Sequence, residues 1–442
     1  MTNDATNTGG KSRRDFVKQT SLIAGGLMAA PLLSKANFFS GSDDAIKIAL
    51  VGCGGRGTGA ASQALSTKQN IKLVAMADAF KDRLDGAYKE LTSGENFDAK
   101  RVDVPEDRKF VGFDGYQKAI ALADVVILAT PPGFRPIHFE EAVKQGKHVF
   151  MEKPVATDPA GVQKVLAAAE QAKAKKLNVV VGLQRHYQNS YRELFKRKDL
   201  VGDITSSQAW WNNDGVWVKQ RQAGQTEMEY QMRNWYYFVW LCGDHICEQH
   251  IHNIDVINWF KGGYPVKAQG MGGRQVRTGK EYGEIFDHHY VEFVYEDGSI
   301  LNSQCRHIPG TMSKVDELLI GTKGKIQAGA ANIVDLKGNV LYQFDKKTEN
   351  NPYQTEHDEL FEAIAKGEYK FWDAENGAKS SMTSILGRMA TYSGEVIDWN
   401  KAINSGIDLH PKTYTWDTVP PVVPNSQGAY VIATPGVTKY SV

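Results

Sequence analysis

The stretch KIALVGCGGRGTG, residues 47–59, is a short apolar run that opens into nearly bare backbone. Ile46–Val51 reads as a buried strand, and Gly52, Gly54 and Gly57 fall on G-x-G-x-x-G spacing, with Gly55 and Arg56 between them. In a dinucleotide fold the first glycine permits the tight turn out of the strand. The second lets the main chain approach a pyrophosphate, and the third lets the next helix pack against the strand. The free N–H groups and positive dipole end of that helix favour an anion. A second strand is expected over Ile71–Ala77, ending at Asp78, 21 residues beyond Gly57. A carboxylate there accepts hydrogen bonds from the adenosine ribose and repels a 2′-phosphate. NAD is therefore expected over NADP, with nearby Arg83 as the feature that points the other way. The bland alternative, a glycine-rich turn and an ordinary surface aspartate, leaves the strand–turn–helix–strand order unused.

Outward from this loop, residues 45–182 alternate strand and helix patterns. Val125–Thr130, His148–Met151 and Val179–Gly182 read as buried strands, and Phe139–Gln145 and Gly161–Ala174 as helices. That alternation predicts a doubly wound parallel sheet, a Rossmann domain over 45–182. The polar stretch 91–110 reads as a surface insertion. Beyond 183, Asp287–Tyr295 and Ser299–Arg306 alternate with period two around an EDG turn. They predict an α/β domain over 183–400 with a large, mainly antiparallel open sheet. A long amphipathic helix is expected over 375–400. The proline-rich remainder, 401–442, reads as an extended tail on this chain's surface or on a partner subunit.

The first 40 residues read as a targeting segment. Arg13 and Arg14, followed by Phe16 and Lys18, precede the apolar run Ser21–Leu33, which is too short and glycine-rich for a stable membrane span. The segment resembles a twin-arginine export signal, with Val17 where leucine is commonest. It implies a periplasmic or otherwise exported protein that does not insert in a membrane once the signal is removed. A basic N-terminus without an address is the alternative. Lysine plus arginine number 52 and aspartate plus glutamate 51, so no charge excess points to nucleic acid. Cys53, Cys242, Cys247 and Cys305 lack C-x-x-C spacing and suggest neither a zinc site nor a disulfide framework. Tryptophans cluster between 210 and 259. Among them Trp217 and Trp235 offer flat faces for the C–H surface of a sugar.

HVFMEKPVATD, residues 148–158, puts Glu152, Lys153 and Pro154 at the carboxyl end of a strand, where open α/β sheets bind ligands. Lys153 there can hydrogen-bond a substrate hydroxyl and stabilise the alkoxide as hydride leaves; a solvated loop lysine is the alternative. Pro154 suits a rigid turn, a cis bond being one route. CGDHICEQHIHNIDVINWF, residues 242–260, reads as one helix with His245, Glu248, His252, Asp255 and Trp259 on one face. Ile246, His250, Ile254 and Ile257 form a core face, so His250 is expected to be packed. His252, with a pKa near neutrality, suits the task of taking the hydroxyl proton. Glu248 or Asp255 can orient it or bind sugar hydroxyls. A metal site from Glu248, His250 and His252 is disfavoured because His250 points away from the others, and no metal is expected.

GCGGRG, EKPVATD and E-x-x-x-H-x-x-D (Glu248 to Asp255) together resemble the glucose–fructose oxidoreductase, inositol dehydrogenase and MocA family over about residues 45–400. The resemblance implies a Rossmann domain carrying NAD and an α/β domain whose open sheet supports the active site or the interface of a homo-oligomer, a dimer or tetramer. It assigns the catalytic lysine to Lys153 and the histidine to His252, with Glu248 where aspartate is often found. It also implies that Thr130, Pro131 and His138 line the nucleotide cleft and that Gln184 and Arg185 reach nicotinamide or substrate. The expected cofactor set is thus Gly52, Gly54, Gly55, Arg56, Gly57, Asp78, Thr130, Pro131, His138, Glu152, Lys153 and Gln184. The expected substrate set is Arg185, His245, Asp255, Trp217 and Trp235. The expected activity is NAD-dependent oxidation of a ring hydroxyl of a sugar or glycoside, with carbon 3 as one position. The alternative follows glycoside hydrolase family 109, in which a retained, recycled NAD oxidises the sugar transiently before elimination and re-reduction. A non-catalytic sugar-binding scaffold is the third reading.

Overall fold

Continuous apolar runs, rather than alternating ones, mark the first half of the chain, and they form a sheet buried on both faces. The computed structural model describes residues 45–94 and 96–440. The twin-arginine segment read over 1–40 lies outside them. The first sheet contains β1 (Ile46–Val51), β2 (Ile71–Asp78), β3 (Lys109–Val111), β4 (Val125–Leu128), β5 (His148–Met151) and β6 (Val179–Val181). All pairings are parallel, in the order β3-β2-β1-β4-β5-β6. Strand order reverses between β1 and β4, which places the ligand crevice at their carboxyl ends. Part of the stretch read as a surface insertion supplies the edge strand β3. The helix read from Gly161 starts at Pro159, because Asp158 Oδ1 accepts from Gly161 N at 2.7 Å and caps it.

Alternating burial marks the second sheet. It holds β7 (Ile204–Asn213), β8 (Lys267–Gly273), β9 (His288–Val294), β10 (Ile300–His307) and β11 (Lys314–Gly321), followed by β12 (Gly324–Gln327), β13 (Asn332–Asp335), β14 (Val340–Gln343) and β15 (Ile397–Asp398). Their order is β14-β13-β12-β11-β7-β10-β9-β8-β15, antiparallel except for the parallel pair β7–β10. One face packs under the helices Ile251–Lys261 and Ala374–Ser393. The other presents Met271 and Ile300 to solvent.

Two expectations change. The helix read over 375–400 ends at Ser393, where Gly394 takes a φ of 72°. It is buried nearly all round rather than amphipathic, because it lies against both the helix Pro159–Ala174 and β8. Its small polar side chains bond backward to their own helix, as Ser381 Oγ does to Gly377 O at 2.7 Å, and so tolerate that burial. The stretch read as one helix over 242–260 is broken. Gly243 and Asp244 both take positive φ, 79° and 74°, and separate Val239–Cys242 from the short helix His245–Glu248. A second break precedes Ile251–Lys261. His245 and His252 therefore do not share a helical stripe.

The tail lies on this chain itself. Trp416 packs on Phe80 and Phe113, with ring centroids 5.0 and 4.6 Å apart, and Tyr414 lies 5.0 Å from Phe134. No described helix is long and apolar enough to cross a membrane.

Candidate active site

The glycines of the loop divide by what surrounds them. A Cβ on Gly52 would lie 2.5 Å from Ala129 C and Thr130 N, and one on Gly57 would strike the Gly52 carbonyl oxygen. Gly54 and Gly55 face open space and line a cleft of about 520 Å³. No side chain caps the helix Gly55–Leu65, so its first N–H groups are free for an anion. Beside the loop, Asp78 Oδ2 accepts from Cys53 N at 2.7 Å and Oδ1 from Phe80 N at 2.8 Å. Burial raises the pKa of this carboxyl group, and the two amides draw it part of the way back. Bare backbone, an uncapped helix end and a carboxylate at the end of the neighbouring strand are what a dinucleotide requires, and the residues fit NAD.

Thr130, Pro131 and His138 line the same cleft. His138 Nδ1 lies 3.2 Å from Thr130 Oγ1. Arg56 reaches the cleft edge, but its Nε is 2.5 Å from Glu152 and its Nη2 3.2 Å from Glu356. Glu152 thus holds Arg56 and does not line the cleft, while its carbonyl accepts from Arg135 Nε at 2.9 Å. The rim carries Trp217 and Trp235, with ring centroids 5.9 Å apart, together with Lys219 and Arg233. Arg233 forms two bonds to Asp82, at 2.7 and 2.8 Å, and ties this rim to the first layer. Lys219 and Arg233 carried no signal in the sequence, because Lys219 lies on irregular chain after β7 and Arg233 ends a helix of only seven residues, Glu227–Arg233.

At the end of β5 the Lys153–Pro154 bond is cis. Lys153 Nζ donates to the Glu248 carbonyl at 2.5 Å and to its Oε1 at 2.9 Å. His252 is buried, and its ring lies 5.9 Å from that of Trp211. The near-neutral pKa expected for His252 is overturned. Burial first, then the charges of Lys153, Arg185 and Arg56, push it well below the usual histidine range. The imidazole is neutral. Its Nδ1 and Gln184 Oε1 are both buried without a protein partner, the condition of groups placed to meet a ligand.

Three residues expected to meet substrate are engaged elsewhere. Arg185 forms an ion pair with the fully buried Glu317, which also accepts from Tyr191 Oη at 2.8 Å and Asn253 Nδ2 at 2.7 Å. Asp255 is taken by His186 Nε2 and Ser380 Oγ, both at 2.7 Å, and by Asn376 Nδ2 at 3.0 Å. His245 is fully buried against His307 and His289, with ring centroids 4.3 and 4.8 Å away. Burial in the second layer, away from the cleft, is the common reason. His250 is the packed residue expected, bonded to Ser303 Oγ at 2.7 Å.

Buried neutral histidines set an acid limit on the fold. Burial foremost pushes both His138 and His250 down to about 3. Below the unfolded value near 6.5 the unfolded chain binds protons that the native state refuses, so stability is lost as pH falls, by about 1.4 kcal/mol per unit for each ring. Glu284, pushed up to about 7 mainly by burial, works in the opposite sense between that pH and the ordinary glutamate value. These three groups together lower stability by about 2 kcal/mol from pH 7 to pH 5, and His148, pushed down to about 4 chiefly by burial, and the buried His252 deepen the loss. Urea unfolding at the two pH values checks it, and equal midpoints and slopes refute it.

Residues 46–182 match the model of the Gfo/Idh/MocA oxidoreductase family, described by its NAD-binding Rossmann fold. An inositol 2-dehydrogenase of Rhizobium meliloti is 22% identical over 336 residues, covering 73% of this chain and 89% of its own. Five further curated relatives align over only 32 to 51% of their own length. The scyllo-inositol dehydrogenase of Lactobacillus casei, solved with bound NAD(H) and scyllo-inositol, superposes with a TM-score of 0.60 at 20% identity, over 81% of this chain and 100% of that one. A levoglucosan dehydrogenase solved with NADH and levoglucosan superposes with a TM-score of 0.59 at 15% identity, over 80% and 99%. At these identities the superpositions speak for the fold alone. Residues 46–182 therefore form an NAD-binding Rossmann domain similar to that of the Gfo/Idh/MocA oxidoreductases.

Proposed function

We propose that the protein oxidises a ring hydroxyl of a sugar or glycoside, carbon 3 being one candidate position, by hydride transfer to NAD. The observation that carries this reading is the Lys153 ammonium, held on Glu248 at the carboxyl end of β5 and acting on the neutral imidazole of His252. NAD, when bound, supplies the hydride acceptor. Lys153 donates a hydrogen bond to the reacting hydroxyl oxygen and stabilises its negative charge as the C–H bond breaks. His252 accepts the hydroxyl proton. Its depressed basicity in the free protein is offset by the alkoxide developing beside it, so the proton moves as the hydride departs. Glu248 keeps the ammonium aimed. Trp217 and Trp235 present flat surfaces to the sugar.

Denaturing the native protein should release NAD, and a glycoside screen should then show NADH formed in proportion to ketone. Aglycone release without net NADH, with solvent deuterium beside the oxidised carbon, would replace this reading with redox-neutral glycoside cleavage. Trp217→Ala should raise KM about fivefold with little change in kcat, since one aromatic contact contributes about 1 kcal/mol. A fall in kcat at constant KM would reject the stacking role.

We extend the proposal to an exported protein, supported by the twin-arginine segment, and to a homo-oligomer, a dimer or tetramer, joined through the open face of the second sheet. The solvent-facing Met271, 73% exposed, and Ile300 on the same face support that interface. Light scattering that gives a monomer mass at micromolar concentration would reject it.

A further inference from the structure

Asp244, His245 and His289 are each fully buried, and one potential ligand atom from each lies within 4.8 Å of the others. Asp244 Oδ1 is 2.8 Å from His245 Nδ1, and Oδ2 is 3.2 Å from His289 Nε2. Neither approach is well aligned for a hydrogen bond. Both ring nitrogens, and His245 Nε2 as well, lack a partner, because the in-plane direction at each nitrogen misses the oxygen. Two ligands of one tetrahedral ion, each about 2.0–2.1 Å from it, stand about 3.3 Å apart. The 3.2 Å separation suits co-ligation, and the 2.8 Å one has to open by about 0.5 Å when an ion enters.

The surroundings fix the state of the His289 ring. Its Nδ1 lies 2.9 Å from Thr391 Oγ1, and that hydroxyl donates to Arg388 O at 3.0 Å. A hydroxyl has one proton, so the ring donates at Nδ1 and keeps a lone pair at Nε2, directed into the cluster. An imidazole whose far nitrogen is fixed in this way is the usual form of a metal-bound histidine. Asp244 is held by Tyr392 Oη at 2.6 Å and by the backbone amides of Phe286 at 3.0 Å and His245 at 2.5 Å. It also sits at a φ of 74°, a conformation that costs a non-glycine residue energy.

We propose that Asp244, His245 and His289 bind a divalent first-row transition metal ion, with Zn²⁺ the best match. Two imidazoles and one carboxylate form a donor set that suits zinc, whereas calcium and magnesium prefer oxygen ligands. The ion is structural. Asp244 caps the short helix His245–Glu248, and the last residue of that helix holds Lys153. Metal at its start fixes the position of Glu248 at its end. The site does not depend on the hydride chemistry, and it was invisible in the sequence because His289 lies far along the chain from Asp244 and His245 with no ligand spacing.

The test is metal analysis of the full chain, purified without a metal-affinity column. About one equivalent of metal per chain is expected in the wild type, with a tenth or less in His289→Gln and Asp244→Asn. Loading with Co²⁺ should give the visible absorption of a tetrahedral ion in the wild type alone. Should the variants fail to fold, the wild type decides: unfolding in chelator and refolding with or without Zn²⁺ should separate the two unfolding midpoints. Absence of metal after refolding with Zn²⁺, equal metal content in the variants, or identical midpoints overturns the proposal.

Discussion

Replacing Lys153 with alanine is expected to lower the rate of hydride transfer about 10³-fold while leaving NAD bound. The ammonium is the group nearest the end of β5 that can both donate to a hydroxyl and carry positive charge beside a forming alkoxide; losses of two to four orders of magnitude follow removal of such groups. The change goes further than subtraction. Glu248, only 15% exposed at its side chain, would lose its counter-ion and turn the local field against the alkoxide. Lys153→Met should therefore be as damaging as alanine, whereas Glu248→Gln, which keeps a hydrogen-bond acceptor, should cost about tenfold. His252→Ala should fall near Lys153→Ala, and the double variant should be little worse, because the two act on one proton. Single-turnover reduction of bound NAD, with nucleotide content measured on the same samples, separates chemistry from binding. Unchanged turnover in both single variants would remove both residues from the mechanism. Loss of bound nucleotide would instead make Lys153 a coenzyme ligand.

The legible part of this site is the part set by local sterics. Gly52 and Gly57 are read from sequence because no side chain fits where the helix meets the loop, and Asp78 because a strand's length fixes its distance from that loop. Lys153 follows from the same logic at β5. Legibility ends where the backbone leaves its period. Asp244 adopts a positive φ that its residue type does not announce, so the stripe from His245 to Asp255 dissolves into separate helices that face different surroundings. Small polar residues along Ala374–Ser393 suggested one wet face, but two layers enclose that helix. The rim residue Lys219 sits on irregular chain, and Arg233 ends the short helix Glu227–Arg233, whose place is set by tertiary contacts.

Arg185 shows the same limit in a single residue, and it yields the second large effect. Its position after β6 pointed to substrate, whereas its partner, Glu317 on β11, stands 132 residues away and could not be paired from sequence. Glu317→Ala is expected to destabilise the protein by about 3–5 kcal/mol, since it strands a buried guanidinium and removes the acceptor for Tyr191 and Asn253. Arg185→Met with Glu317→Leu should be milder than Glu317→Ala, because no charge is left unpaired and the apolar volume is kept. Urea unfolding of the three proteins, with KM measured on the folded ones, tests both halves of the claim. If the double variant keeps its stability but loses sugar binding, Arg185 does reach the substrate. If the double variant is as unstable as Glu317→Ala, the destabilisation comes from the lost bonds to Tyr191 and Asn253 rather than from the unpaired charge.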